Sequence, residues 1–174
     1  MTEAAAGSAR AAADPRSSGA AEAVEPGTLV LLVGPAGSGK STWAAAHHAP
    51  TEIVSSDALR AAVCDDPGDQ AANADAFRLL HAIVRARLSR GRTTVVDATN
   101  LTDGARRPLL ALAARFGRPV VAVVFRTPLQ VCLGRVAARP DRDVPEEVVR
   151  LHHAQLPGAE AALRRAGVPI VEVG

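Results

Sequence analysis

The stretch TLVLLVGPAGSGKST, residues 28–42, decides the fold. Residues 28–33 form an almost wholly apolar run that stops at a glycine, the pattern of a strand buried on both faces. Gly34, Gly39, Lys40 and Ser41 then fill G-x-x-x-x-G-K-S, between that strand and a helical segment. Such a loop needs glycines so that backbone N–H groups can turn inward around phosphate oxygens. The whole loop, Gly34, Pro35, Ala36, Gly37, Ser38, Gly39, Lys40, Ser41 and Thr42, is expected to wrap a nucleoside triphosphate. The helix start adds its positive end, Lys40 reaches the β and γ phosphates, and Ser41 ligates Mg2+. Nineteen of the twenty basic residues are arginine, and the single lysine is Lys40. A compact ammonium fits here where a guanidinium fork does not.

Working outward, the chain alternates strand and helix patterns. Further strands read at 52–56, 93–98, 119–125 and 169–173. Helices read at 39–47, 57–63, 74–91, 103–117 and 128–139, with one or two more after RPDRDVP, residues 139–145. Strands alternating with helices argue for an α/β fold with a parallel sheet covered on both faces. In such sheets ligands sit beyond the carboxyl ends of the strands.

Composition narrows the classes. At 174 residues the chain is long enough for one domain with a full core, and aromatic side chains make up only 2%. Few rings are therefore available to stack on bases. Residues 1–26 are rich in Ala, Gly, Ser and Pro, with Val24 the one branched apolar side chain; they read as a disordered leader, and 27–174 as the domain. The leader lacks the hydrophobic block of a signal peptide, and its acids argue against a transit peptide. The other 148 residues carry 18 basic and 14 acidic side chains, a mild excess that says little about nucleic acid. No apolar run is long enough to span a membrane. Cys64 and Cys132 have no metal-ligand spacing and read as buried thiols in a reducing compartment, so a cytoplasmic location is expected.

Three features bear on what the triphosphate is for. Asp97, at the end of the third strand in VVDATN, is placed to hold Mg2+ through water or to orient an arginine. Arg135 and Arg139 lie four apart on one helix face and Arg142 follows Pro140, an arrangement that suits a lid over a transferred phosphoryl group. Asp141 and Asp143 are poised to pair with these arginines. In SSDALR, residues 55–60, Asp57 stands where the second strand ends and a helix begins. It reads either as a helix cap or as the carboxylate that takes a proton from an acceptor hydroxyl. Arg60, one turn on, is placed to grip an anionic group on that acceptor. A carboxylate and a guanidinium together describe a phosphorylated alcohol.

Taken in order, GPAGSGKST, SSDALR, DDPGDQ, VVDATN and ARPDRD resemble the polynucleotide 5′-hydroxyl kinase family, and in particular the kinase module of bacterial kinase-phosphatase-ligase repair proteins. The likeness covers about residues 28–165. It implies a P-loop three-layer sandwich, a five-stranded parallel sheet in order 2-3-1-4-5, and a helical lid. It also implies transfer of the ATP γ-phosphate to a 5′-OH end of RNA or DNA, with ATP and Mg2+ as cofactors. By that pattern Asp57 is the general base. Lys40, Arg60, Arg135 and Arg139 serve catalysis, and Arg142 serves ATP. The acceptor side comprises Arg60, Gln70, Asp97 and Asn100. A phosphatase or ligase would be a partner in trans, because the resemblance covers a kinase module alone.

Two other readings stay open: a kinase of a small alcohol, similar to zeta-toxin-like and small-molecule kinases, and a non-catalytic ATP-binding module. His47–His48 and His152–His153 carry no assigned role, since adjacent residues on a helix face different ways. Phe77, Phe116, Phe125 and Trp43 are expected in packing roles. Arg126, at the end of the fourth strand, is expected near the site by topology, where it could touch the nucleotide.

Overall fold

The computed structural model describes residues 24–139 and 144–174. Its strands are β1 (Leu29–Val33), β2 (Ile53–Ser55), β3 (Thr94–Asp97), β4 (Val120–Phe125) and β5 (Ile170–Val173). They form one sheet in the order β2-β3-β1-β4-β5, and every pairing is parallel. The expected order is thus the observed one. The helices are α1 (Lys40–His47), α2 (Ser56–Cys64), α3 (Asn73–Ser89), α4 (Asp103–Arg115), α5 (Leu129–Ala137) and α6 (Glu146–Arg165).

β1 is central and wholly buried, which is why its sequence is apolar without alternation. Its side chains still alternate in space. Leu29, Leu31 and Val33 join a large core with Leu80, Val84 and Leu88 of α3, Leu109 and Ala113 of α4, and Leu156 and Leu163 of α6. Val30 and Leu32 point the other way, into a smaller core with Ala44, Phe125 and the partly buried Trp43. Val24, grouped by composition with the leader, packs on this second core.

After residue 145 a single helix forms, although Pro157 and Gly158 lie inside α6. Leu156, Ala159 and Leu163 all reach the main core, and that shared burial holds the helix together across the proline. The same helix carries Glu160 against the sheet end. Arg126 donates to Glu160 Oε1 and Oε2 at 2.7 and 2.9 Å, and Arg164 donates to Oε1 at 2.8 Å. Both arginines also reach Glu172 of β5. The Arg164 hydrogen bond, with the charge of Arg126 beside it, holds the Glu160 carboxyl below the usual glutamate range, against the opposing pull of burial. A depressed folded-state pKa means stability that is present above the unfolded value of about 4.3 and lost as pH falls through the folded one. Glu160→Gln is expected to lower the melting temperature by about 2–4 °C at pH 7, corresponding to about 1 kcal/mol. The gap to wild type should close below pH ~4. Melts of the two proteins that differ equally at pH 7 and at pH 3.5 would assign the loss to packing instead.

Candidate active site

The loop after β1 is built from inside the sheet. The Gly34 amide donates to the Thr99 carbonyl beyond β3 at 3.1 Å, and the Thr127 hydroxyl beyond β4 donates to the Ser38 carbonyl at 2.9 Å. Both flanking strands therefore hold the loop. Gly37 has φ +77°, and a Cβ there would run into the Cys132 carbonyl oxygen of α5. A Cβ at Gly34 would stand 2.9 Å from Ser38 Oγ and 3.0 Å from Phe125 Cβ. Only glycine closes this turn against its neighbours. Lys40 is 8% exposed, and its Nζ donates to the carbonyls of Gly34 at 3.0 Å and Pro35 at 2.7 Å. No side chain caps the start of α1, so its first N–H groups open onto the space in front of the loop.

That space is a cavity of about 430 Å³ beyond the carboxyl ends of the strands. Gly37, Gly39, Lys40, Ser41 and Thr42 are among its lining, as are Asp57, Arg60, Gln70 and Asp97, and Arg139 reaches it from just past the end of α5, short of the helix expected to run to 139. The donors suit the expected groups. A glycine cradle with an uncapped helix start and a buried ammonium fits a polyphosphate. The Ser41 hydroxyl and the Asp97 carboxylate form a hard oxygen set that fits Mg2+.

The cap question at Asp57 has a direct answer. Ser55, in extended conformation, caps α2: its Oγ accepts from the Ala58 amide at 3.4 Å. Asp57 is in the first turn, on the cavity wall, and its Oδ1 accepts from Arg60 Nη2. The Ser56 hydroxyl lies 3.4 Å from Asp57 Oδ1 and 3.5 Å from the Asp97 carbonyl, tying the helix start to the end of β3. Arg60 is 4% exposed. It donates from Nε to the Pro67 carbonyl at 2.7 Å and from Nη1 to Asn73 Oδ1 at 2.8 Å. With the Asp57 bond, described residues take three of its five N–H groups.

Other expectations need correction. Asn100 is 1% exposed and stands under the site. Its amide nitrogen donates to the Leu32 carbonyl at 2.8 Å, bracing the turn after β3, and Asn100 does not line the cavity. Arg106, buried in α4, holds the same turn through the Asn100 carbonyl at 2.9 Å. Arg126 is committed to Glu160 and Glu172 and does not line the cavity. Arg135 is exposed on α5, with Nη1 3.4 Å from the Gly37 carbonyl, so it lies over the phosphate loop. Arg142, with Asp141 and Asp143, lies outside the described residues. Cys64 is half-buried rather than buried, and its thiol donates to the Arg60 carbonyl at 3.2 Å. Cys132 is fully buried, and burial pushes its thiol up, away from reactivity.

Six residues join the site from outside the motifs, Val144 and Pro145 ahead of α6 among them. Asn73 and Phe77 of α3, and Val148 and His152 of α6, line the cavity. Phe77 also packs on the core, as expected of it, while His152 was set aside with its neighbour. His47 and His48 stay elsewhere, bonded to the Trp43 carbonyl and to Glu52. Among the described residues no group of three or more His, Cys, Asp or Glu side chains is placed to hold a metal, and no helix is long and apolar enough to cross a membrane.

No curated protein matches the chain. Solved structures do. One is a chain of the Pnkp1/Rnl/Hen1 RNA repair complex, with TM-score 0.66 and 22% identity; the match covers 78% of this chain and 45% of that one. A gluconokinase from Sinorhizobium meliloti 1021 has TM-score 0.53 and 23% identity, over 86% of this chain and 83% of that one. The Mycobacterium tuberculosis APS kinase CysC, solved with AMPPNP and APS, has TM-score 0.51 and 20% identity, over 78% of this chain and 98% of that one. At such identities the shared property is the P-loop kinase fold, and the chain spans less than half the length of the repair-complex protein. The model of the AAA domain family matches residues 29–158, three quarters of the chain; this protein belongs to that family and folds as a P-loop kinase.

Proposed function

We propose that the protein is an ATP-dependent kinase of 5′-hydroxyl polynucleotide ends, RNA or DNA. The observation that carries this reading is that one cavity is lined both by the Lys40 loop and by Asp57 and Arg60. Asp57 takes the proton of the attacking hydroxyl as the new P–O bond forms and the bond to the leaving diphosphate oxygen breaks. Lys40 holds charge on the phosphate oxygens, and Arg135 of α5 and Arg139 just beyond it approach them as a lid. Arg60 offers its remaining N–H groups to the phosphate that follows the terminal nucleoside. Ser41, and Asp97 through water, would hold Mg2+, which when bound supplies further positive charge to the phosphates. The kinship of fold with a chain of an RNA repair complex supports the choice of acceptor. Removal of 3′ phosphates and sealing of nicks would fall to partner enzymes.

One observation favours a second reading, a kinase of a small alcohol. Arg60 is already engaged by three groups of its own chain, and a neutral acceptor would ask nothing of it. Incubation with γ-labelled ATP, Mg2+ and a short 5′-OH oligonucleotide, RNA and DNA in parallel, separates the two. Label on the strand is the expected result. ATP binding with no label on any strand removes the polynucleotide reading and turns the search to small alcohols.

A further inference from the structure

Arg60 can only donate hydrogen bonds, and this fixes the polarity of everything bonded behind it. Asn73 must present Oδ1 to Arg60 Nη1, at 2.8 Å. Its Nδ2 is then turned to Gln70 Oε1, at 2.7 Å. Gln70 in turn points Nε2 at the Gly68 carbonyl, at 3.1 Å. The chain of bonds has one consistent orientation from the buried guanidinium out to the exposed turn before α3. Pro67, in the same turn, holds Nε of Arg60 at 2.7 Å. Segment 67–73 therefore holds the guanidinium through Nε and Nη1, and Asp57 holds it through Nη2.

We infer that Asn73 is a positioning residue for Arg60, setting the angle at which the guanidinium meets an anionic group on the acceptor. The inference rests on the polynucleotide kinase reading and deepens it. Gln70, expected on the acceptor side and part of the cavity lining, is tied to Arg60 through Asn73. The energetic ground is the lost bond. A hydrogen bond to a charged group is worth about 1.5–3 kcal/mol, and each 1.4 kcal/mol is tenfold in an equilibrium. Release of Arg60 should therefore cost roughly tenfold or more in acceptor binding.

The test compares a 5′-OH nucleoside 3′-phosphate with the same nucleoside lacking the phosphate, for wild type, Asn73→Ala and Asn73→Asp. Asn73→Ala is expected to raise KM for the phosphorylated acceptor about tenfold and to erase most of the preference for it, with KM for ATP unchanged. Asn73→Asp keeps an acceptor for Nη1 and suits a helix start, so it should melt with wild type. It also places a carboxylate beside Arg60, and should lose the same preference through charge. A merely structural role would lower kcat on both acceptors alike and leave the preference intact. Wild-type preference in Asn73→Ala overturns the inference alone. Wild-type protein inert on both acceptors overturns the kinase reading and this inference with it.

Discussion

Asp57→Asn is expected to transfer phosphate ~10²–10⁴-fold more slowly than wild type while binding ATP with unchanged affinity. The size follows from what the substitution removes. Asparagine keeps an oxygen that can accept from Arg60 Nη2, so the contact that orients the pair persists. The fold should persist too, because the N-cap of α2 is Ser55 and not Asp57. What disappears is an ionised oxygen able to take a proton. Asp57 lines the cavity from α2 and belongs to no part of the phosphate loop, so ATP affinity has no reason to change. Single-turnover transfer to a 5′-OH oligonucleotide, with ATP binding measured by titration, separates the two effects. Transfer within about tenfold of wild type would reduce Asp57 to a partner for Arg60 and send the search for the base to other groups on the wall.

How far the sequence alone reached depended on how local each feature is. The phosphate loop was legible because strand, glycines, lysine and helix start lie within fifteen residues, and backbone geometry demands them together. The Asp57–Arg60 pair was legible because a spacing of three brings two side chains together on a helix. Asn73 was not, since its bond to Arg60 joins residues 13 apart across a turn whose path no periodicity encodes. Thr127, which clasps the loop from 89 residues away, was invisible for the same reason. Asn100 shows the opposite failure: a polar side chain beside an active-site strand looks like a ligand until the buried carbonyls around it demand a donor. Arg126 was placed correctly at the strand end, but only the tertiary packing shows that Glu160 and Glu172 meet it there.

Lys40→Arg is expected to lower kcat/KM by ~10²–10³-fold although the formal charge is kept. The lysine is 8% exposed, and its ammonium is held within 3.0 Å of two loop carbonyls, those of Gly34 and Pro35. Three donors radiating from one nitrogen can satisfy both carbonyls and still present charge to a phosphate. A guanidinium is planar and wider, and it cannot aim at both carbonyls from the place of a single nitrogen. Ser38 Oγ lies 3.4 Å from Nζ, and Gly34 already has no space for a Cβ. The fork must therefore leave the loop, unsettling the Gly34 and Pro35 carbonyls, or displace the phosphates it should serve. Both routes cost catalysis, and only the second costs ATP affinity in proportion. Measuring ATP binding beside the transfer rate tells them apart, and a variant within tenfold of wild type would mean that charge alone is enough. In that case the restriction of lysine to this one position, in a chain with nineteen arginines, would need an origin other than the geometry of the loop.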